Sequence, residues 1–152
     1  MKCIIVYTSM TGNTEEMANL IKEGIIEENV EVDIKDSLQV FTEDLLNYDG
    51  ILLGSYTWNE GELPDEFLDF YEELNQLDLS GKISAAFGSG DKTYPDFCRA
   101  VDILTNRLTE LGSHVVHSGL KIEHFPDGEE REYCRRFGRQ FADSLVNAVQ
   151  LA

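Results

Sequence analysis

The chain has 152 residues, of which 42% are hydrophobic, a length that suits one globular domain and leaves no room for a second. Its 12 lysines and arginines stand against 29 aspartates and glutamates, and the resulting formal charge of −17 excludes nucleic acids and anionic membrane surfaces as partners. No apolar run reaches the length of a membrane span, and no signal-peptide pattern opens the sequence. We therefore expect one domain over residues 1–152, located in the cytoplasm.

The cysteines and histidines fit no metal-binding pattern. Cys3, Cys98 and Cys134 are far apart and odd in number, so reduced thiols are expected rather than disulfides or a zinc site. The histidines lie around one predicted strand without a matching cysteine or carboxylate pattern, and surface or packing roles are expected for them. These histidines are His114, His117 and His124. The sequence predicts no metal site.

Short β-rich runs alternate with longer segments of helical period, which predicts parallel strands joined by right-handed helical crossovers. The first strand is expected over Lys2 to Thr8, and residues 17–25 then repeat apolar side chains at helical spacing. Val30 to Lys35 alternates like a more exposed strand, whereas Gly50 to Gly54 is short and apolar like a buried one. A weak helical segment lies between them, near Thr42 to Asn47.

The second half of the chain continues this alternation. Pro64 and Pro95 each stand where a loop turns into a helical pattern, so helices are expected to begin there. A fourth strand is expected over Lys82 to Gly88, and Gly112 is placed to end the helix after it. A fifth strand, His114 to Ile122, precedes a closing helix whose apolar stripe predicts core packing. The stripe consists of Tyr133, Phe137, Phe141 and Leu145. The fold class is therefore α/β, a doubly wound parallel sheet of five strands with helices on both faces.

A hydroxyl-rich turn follows the first strand and opens directly into a helix. The turn consists of Thr8, Ser9, Met10, Thr11, Gly12, Asn13 and Thr14. Its backbone N–H groups, its hydroxyls and the positive end of the helix dipole suit a phosphate. It has neither the lysine of a Walker loop nor the glycines of a dinucleotide fingerprint, which disfavours a nucleoside triphosphate. Taken alone, the turn is explained equally well by helix capping.

Two aromatic side chains stand in the loops that follow the third and fourth strands. Trp58, the only tryptophan of the chain, lies within Ser55 to Pro64, and Tyr94 lies within the glycine-rich segment Gly88 to Cys98. Ligands of a doubly wound sheet bind beyond the carboxyl ends of its strands, so both loops are expected at the ligand site. Two such aromatics can bracket one flat ring.

Three patterns, in their order and spacing, resemble the phosphate loop and the two flavin-clamping loops of the flavodoxins, and the resemblance covers the whole chain. They are Ser9-x-Thr11-Gly12-x-Thr14, Thr57-Trp58-Asn59-x-Gly61-Glu62-Leu63 and Gly88-x-Gly90-Asp91-x-x-Tyr94-x-x-Phe97. The fifth strand lacks the insertion that long-chain members carry, so the chain is similar to the short-chain type. The resemblance implies the flavodoxin-like strand order 2-1-3-4-5.

By this resemblance the chain would hold one FMN non-covalently and carry single electrons at low potential, through the semiquinone and hydroquinone, from a flavin or iron-sulfur reductase to acceptor enzymes with basic docking faces. The hydroxyl-rich turn would hold the FMN phosphate, and Trp58 and Tyr94 would sandwich the isoalloxazine. The Asn59–Glu60 peptide would reorient on reduction. The residues implied to bind FMN are Ser9, Met10, Thr11, Gly12, Asn13, Thr14, Ser55, Tyr56, Thr57, Trp58, Asn59, Glu60, Gly61, Gly88, Ser89, Gly90, Asp91, Tyr94, Phe97 and Cys98.

Other functions of the same fold fit the sequence less well. The main alternative is an FMN-dependent two-electron quinone or azo reductase, which needs an open flavin face that Trp58 and Tyr94 together would close. A receiver domain needs an acidic pair after the first strand, where Thr8 and Ser9 stand instead. Lys92 departs from the family's usual neutral or acidic residue, which leaves the redox potential open. A monomer is expected, because the polar helix faces carry no long apolar stripe.

Overall fold

The computed structural model describes residues 1–59 and 61–151, except for the side chains of residues 149–151. Its strands are β1 (Lys2–Tyr7), β2 (Glu31–Asp36), β3 (Gly50–Gly54), β4 (Ile83–Gly90), β5 (His114–Val115) and β6 (Leu120–Glu123). Its α-helices are α1 (Asn13–Glu27), α2 (Asp65–Glu73), α3 (Arg99–Glu110) and α4 (Glu129–Leu151). Short 3₁₀ helices span Ser37–Gln39, Thr42–Asn47 and Leu74–Gln76, so the weak helical segment predicted near Thr42 is confirmed.

The strands form one parallel sheet in the order β2-β1-β3-β4-β5, which confirms the predicted topology. The single fifth strand expected over His114 to Ile122 was wrong, because it is divided in two. β5 pairs with the beginning of β4, whereas β6 pairs with its end. Between them the Gly119 N–H donates to His117 Nδ1 at 2.9 Å, and Gly119 has a φ of +116°. A turn that only glycine adopts easily therefore interrupts the strand.

Helices cover both faces of the sheet, and successive strand residues alternate between two cores. Cys3 and Ile5 of β1 pack towards α1 and α4, whereas Ile4 and Val6 pack towards α2 and α3. The two helices α1 and α4 approach closely at Gly24, where an added Cβ would lie 2.0 Å from the Arg135 carbonyl oxygen. Among the described residues, no helix combines the length and apolar character that crossing a bilayer requires.

The predicted aromatic stripe of the closing helix is confirmed in three of its four positions. These buried positions are Phe137, Phe141 and Leu145. Tyr133 is 43% exposed and takes no part in the core. Its phenol oxygen lies 3.2 Å from the Glu129 carboxylate, one helical turn earlier. Tyr133 stands in the second turn of α4 and keeps the spacing of the stripe, so its spacing alone could not distinguish it from the core residues.

The two proline-based predictions of helix starts differ in their outcome. α2 begins at Asp65, directly after Pro64, as predicted. α3 begins only at Arg99, so the start predicted at Pro95 was wrong. Cys98, the N-cap of α3, has a φ of +52°, and the turns before it extend the loop that follows β4. This extended loop contributes four lining residues to the site described below.

Candidate functional site

Three loops meet at the carboxyl edge of the sheet and enclose a cleft of about 870 Å³. They follow β1, β3 and β4, and backbone hydrogen bonds join the first residue of two of these loops to the neighbouring strand: Thr8 N–H donates to Gly54 O of β3 at 3.0 Å, and Ser55 N–H donates to Phe87 O of β4 at 3.1 Å. The volume falls within the range of about 300–1,000 Å³ that is typical of small-molecule sites. The fold thus brings together the three segments that the sequence singled out.

Most of the residues predicted to bind a ligand line this cleft. They are Ser9, Met10, Thr11, Asn13, Thr14, Tyr56, Thr57, Trp58, Asn59, Ser89, Gly90, Asp91, Tyr94 and Cys98. Five others are described but lie outside the lining: Gly12, Ser55, Gly61, Gly88 and Phe97. Glu60, and with it the predicted reorientation of the Asn59–Glu60 peptide, lies outside the described residues.

Glycines behind the lining let the loops approach one another. A Cβ on Gly88 would lie 2.1 Å from the Ser55 carbonyl oxygen, so any side chain there would separate β4 from the loop after β3. Gly61 has a φ of +92°, and its Cβ would lie 2.9 Å from Asp96 Cβ. Both positions therefore set the shape of the cleft without facing it.

The Ser9 hydroxyl organises the turn after β1. Its Oγ accepts hydrogen bonds from the Gly12 N–H at 3.1 Å and the Glu15 N–H at 3.3 Å. The buried Thr14 Oγ1 lies 2.9 Å from Ser89 Oγ, which links the start of α1 to the end of β4. These bonds fix the path of the backbone around the turn, so its outward-facing groups are held in place before a ligand arrives.

The same turn holds a set of backbone N–H groups without acceptors among residues 1–59 and 61–151. They belong to Met10, Thr11, Asn13 and Thr14. The last two are in the first turn of α1, where N–H groups have no partner within the helix. Unpaired amides at a helix N-terminus attract anions, and the helix dipole adds to the attraction. This end of the cleft is therefore suited to a phosphate.

Two aromatic side chains stand partly in solvent on the rim of the cleft. Trp58 is 39% exposed and Tyr94 is 58% exposed. Trp58 is held by a pair of backbone hydrogen bonds with Glu62, each 2.8 Å long, which close a tight loop with Asn59 at a φ of +48°. Planar rings exposed beside a cleft gain free energy when a flat ligand covers them.

The loop after β4 carries a carboxylate that stays charged. Asp91 Oδ1 accepts hydrogen bonds from Thr93 Oγ1 at 2.6 Å and Thr93 N–H at 2.8 Å, and these bonds lower the pKa of the Asp91 carboxyl. The neighbouring Lys92 turns away from the cleft: its N–H donates to Glu123 Oε2 at 2.9 Å, and its Nζ lies 5.7 Å from the Phe97 ring centroid. The cation that departed from the family pattern is therefore absent from the lining.

Three lining residues were not predicted as contacts: Glu62, Asp96 and His124. His124 had been assigned a surface or packing role. Its N–H donates to Gly90 O at 2.8 Å, and its Nε2 lies 3.8 Å from Asp91 Oδ2. It reaches the cleft because β6 pairs with the end of β4. Its position just after the carboxyl end of a predicted strand was the one available signal.

All three cysteines are free and buried. Burial raises the pKa of Cys98 to about 12, although this residue lines the cleft. Its Sγ lies 3.7 Å from Gly88 O and 3.8 Å from Ile122 O. Because the thiolate is the reactive form, a thiol in this state resists oxidation at neutral pH.

Comparison with known proteins gives a family match over most of the chain. The family described as Flavodoxin matches residues 5–138. "Probable flavodoxin 2" of Bacillus subtilis (strain 168) is 47% identical over 149 residues, which cover 97% of this chain and 99% of the relative.

Solved structures agree with that match. Oxidised Flavodoxin 2 from Bacillus cereus is 48% identical, with a TM-score of 0.92 over 95% of this chain and 99% of that one. A short-chain flavodoxin associated with a bacterial microcompartment is 32% identical, with a TM-score of 0.91 over 95% of this chain and 99% of that one.

Proposed function

Because the chain belongs to the flavodoxin family, we propose that it is a low-potential carrier that accepts and delivers electrons one at a time, through the semiquinone and hydroquinone of its cofactor. Flavodoxins bind FMN and are electron-transfer proteins rather than enzymes, so the cofactor is FMN and no catalytic residue is assigned. One observation carries the proposal: unpaired amides and two exposed aromatics share one cleft.

The turn after β1 fits the phosphate of FMN. Its unpaired amides supply donors, and the Ser9 and Thr11 hydroxyls line the same end of the cleft. No lysine or arginine is among the lining residues, so the phosphate would be held by neutral donors and the dipole of α1. Neutral donors bind the phosphate without adding positive charge near the flavin.

The other end of the cleft fits the isoalloxazine. We propose that Trp58 and Tyr94 cover its two faces, and that backbone groups from Gly88 to Tyr94 bind its pyrimidine edge. The Asp91 N–H has no acceptor among the residues that the structure describes and is one candidate donor for that edge. Coverage of both faces excludes water and leaves little room for a second substrate over the ring. That arrangement suits electron transfer better than hydride transfer.

The charges around the cleft favour a strongly reducing cofactor. Glu62, Asp91 and Asp96 line it, and Lys92 is turned away. A carboxylate about 10 Å from a developing negative charge disfavours that charge by roughly 0.8 kcal/mol at an effective dielectric constant of about 40. This energy corresponds to roughly 35 mV for one electron. Several such carboxylates would lower the potential by on the order of 100 mV, less the effect of salt screening.

The same acidic groups would guide redox partners. We propose a flavin or iron-sulfur reductase and acceptor enzymes that present basic faces, because the formal charge of this chain is −17. Met10, Trp58 and Tyr94 are exposed at the mouth of the cleft and would give the partner a small apolar contact. Association driven by charge is fast, brief and sensitive to salt, as a carrier requires.

The remaining parts of the proposal concern the state of the chain in the cell. We propose one domain over residues 1–152 that acts as a monomer, since two copies with this charge repel each other. We further propose a cytoplasmic location, which suits three buried, unpaired thiols.

The test is an anaerobic one-electron titration of the FMN-loaded protein, followed by its visible spectrum. A one-electron-reduced state that accumulates to near-stoichiometric yield supports the proposal, whereas direct passage to the fully reduced protein contradicts it. Tyr94→Leu should raise the potential of the second electron, because an electron-rich ring that opposes negative charge is removed. Tyr133→Leu is the matched control, since Tyr133 is similarly exposed but lies outside the cleft. Equal potentials in the two variants would contradict the proposal that Tyr94 covers the cofactor.

A further inference from the structure

His124 is a titratable group of the cleft that the proposed electron transfer leaves without a role. It directly follows β6, lines the cleft and has a side chain that is 62% exposed. Its backbone N–H donates to Gly90 O at the end of β4, so the residue is fixed to the segment that is proposed to bind the pyrimidine edge of FMN. It has a φ of +57°, a conformation that is uncommon for residues other than glycine.

The surroundings of His124 are rich in negative charge. One of its ring nitrogens, a carboxylate oxygen of Asp91 and a carboxylate oxygen of Glu123 all lie within 4.8 Å of one another. From the other elements around the cleft, Glu62 and Asp96 contribute two further carboxylates. The nearby Lys92 directs its ammonium group over Phe97. Among the described lining residues, His124 is the one with a basic side chain, and histidine is the residue type whose charge changes most readily near neutral pH.

With FMN bound in this cleft, its full reduction would place additional negative charge beside these residues. A protonated imidazole on the cleft wall stabilises that charge, whereas a neutral imidazole does not. Thermodynamic linkage requires the converse effect: added negative charge makes the imidazole bind its proton more tightly. The strength of the coupling depends on the exposure of His124, since water and salt screen a group at the surface.

We propose that His124 couples the last reduction step of this protein to proton uptake, so that its protonation raises the midpoint potential as the pH falls. One electron enters from the reductase, and up to one proton passes from solvent to the imidazole nitrogen. Both leave when an acceptor takes the electron. The proposal rests on FMN occupying the cleft as proposed above, and it assigns His124 as a tuning residue rather than a catalytic one.

The expected effect is moderate. The attraction between a partly exposed imidazolium and the negative charge of the reduced cofactor corresponds to an increase of up to about fivefold in the proton affinity of His124. By linkage, a fivefold increase corresponds to roughly 40 mV in a one-electron couple, because tenfold corresponds to about 59 mV. This difference between acidic and alkaline pH is large enough for spectroelectrochemical measurement.

The test compares the potential of the last couple between about pH 5 and pH 9 in FMN-loaded wild type and His124→Asn. Asparagine cannot titrate in this range and tolerates positive φ. FMN's own protonation is common to both proteins and cancels in the difference. We expect the variant to lose the additional rise in potential at low pH. His124→Lys should hold the potential high throughout the range.

His114→Gln is the matched control. It removes an exposed imidazole of β5, whose partner Ile83 begins β4, whereas His124 bonds to Gly90 at the end of that strand. Seven residues of strand place the two histidines about 20 Å apart. We expect His114→Gln to leave the pH dependence of the potential unchanged. A loss equal to that of His124→Asn would show that general surface charge, and not His124, is responsible.

A second readout is the titration of the His124 imidazole by NMR in oxidised and fully reduced protein. The midpoint of that titration should move to higher pH on reduction, and identical midpoints would overturn the proposal. Both states can be prepared even if the one-electron state fails to accumulate. A failure of one-electron carriage is therefore distinguishable from a failure of proton coupling.

Discussion

The two ends of the parallel sheet differ in whether their polar groups have hydrogen-bond partners within the protein. At the amino end these groups hydrogen-bond to one another. The Ser84 and Ser113 hydroxyl oxygens lie 2.5 Å apart, and the Ser113 hydroxyl donates to the Lys82 carbonyl oxygen at 3.0 Å. Nearby, the Tyr48 hydroxyl donates to Asp33 Oδ2 at 2.5 Å. Polar groups near the starts of the strands therefore find their hydrogen-bond partners within the protein.

At the carboxyl end, several donors of the hydroxyl-rich turn have no acceptor among the described residues, and aromatic rings stand partly in water. Backbone in the left-handed region is found there at Asn59, Cys98 and His124. The comparison shows that hydrogen bonds within the protein pair polar groups at one end of the sheet, whereas the other end leaves donors and aromatic faces available to a ligand. Substitutions at the two ends should therefore separate folding stability from FMN affinity.

The largest effect is expected for Gly88→Ala, beneath the cleft. The new Cβ would meet the Ser55 carbonyl at 2.1 Å, and backbone cannot yield as a flexible side chain can. We expect the free energy of unfolding to fall by about 3 kcal/mol and FMN to bind more weakly, because the loop after β3 is displaced.

Gly50→Ala is the counterpart of this substitution at the amino end. Its Cβ would meet the side chains of Cys3 and Phe141 at 3.0 Å, so small shifts can accommodate it. Urea unfolding of the apo proteins and fluorescence titration with FMN measure the two quantities. Equal losses of stability in the two variants would contradict this ranking of the two sites.

An intermediate effect is expected for a pair of serine substitutions. Ser9→Ala removes the acceptor that orders the turn after β1, so FMN affinity should fall by about tenfold while the stability of the apo protein changes little. Ser113→Ala leaves the buried Ser84 hydroxyl without this partner and should cost about 1–2 kcal/mol of unfolding free energy, with FMN affinity unchanged. The same titration and unfolding measurements apply. If both variants lost FMN affinity, the two ends would not be independent.

The smallest expected effect is on the pH dependence of folding stability, through a carboxyl group at the amino end of the sheet. The hydrogen bond from Tyr48, helped by Lys2, lowers the pKa of the Asp33 carboxyl. A carboxyl with a lowered pKa in the folded state contributes stability above its unfolded pKa of about 3.9 and loses that contribution as the pH falls through the lower folded value. Tyr48→Phe should therefore cost at most about 1 kcal/mol at neutral pH, since the pair is partly exposed.

The cost of Tyr48→Phe should shrink in acid as Asp33 becomes protonated. Urea unfolding at several pH values between about 2 and 7 measures it. Tyr71→Phe is a control, because the Tyr71 hydroxyl accepts from Arg107 and has no carboxylate partner among its hydrogen bonds in the described residues. A cost of Tyr48→Phe that stayed constant with pH would show that lost packing, rather than the hydrogen bond to Asp33, is responsible.

Local patterns were sufficient for most of the fold. The apolar run of β3 and the periodicity of α1 each identify an element without reference to the rest of the chain. The order of the strands followed from the resemblance and is confirmed. The start of α3 was misplaced because Pro95 permits a helix start but does not require one, and the loop continues to Cys98.

The sequence by itself determined which segments would form the site, because the loops after β1, β3 and β4 must meet wherever parallel strands share a carboxyl edge. Only the tertiary structure decided that β6 would pair with the end of β4 and bring His124 to the cleft, and that Lys92 would turn towards Phe97. These outcomes depend on which distant residues come within hydrogen-bonding distance. Such contacts leave no periodic signal in the chain, whereas burial of a strand or helix face does.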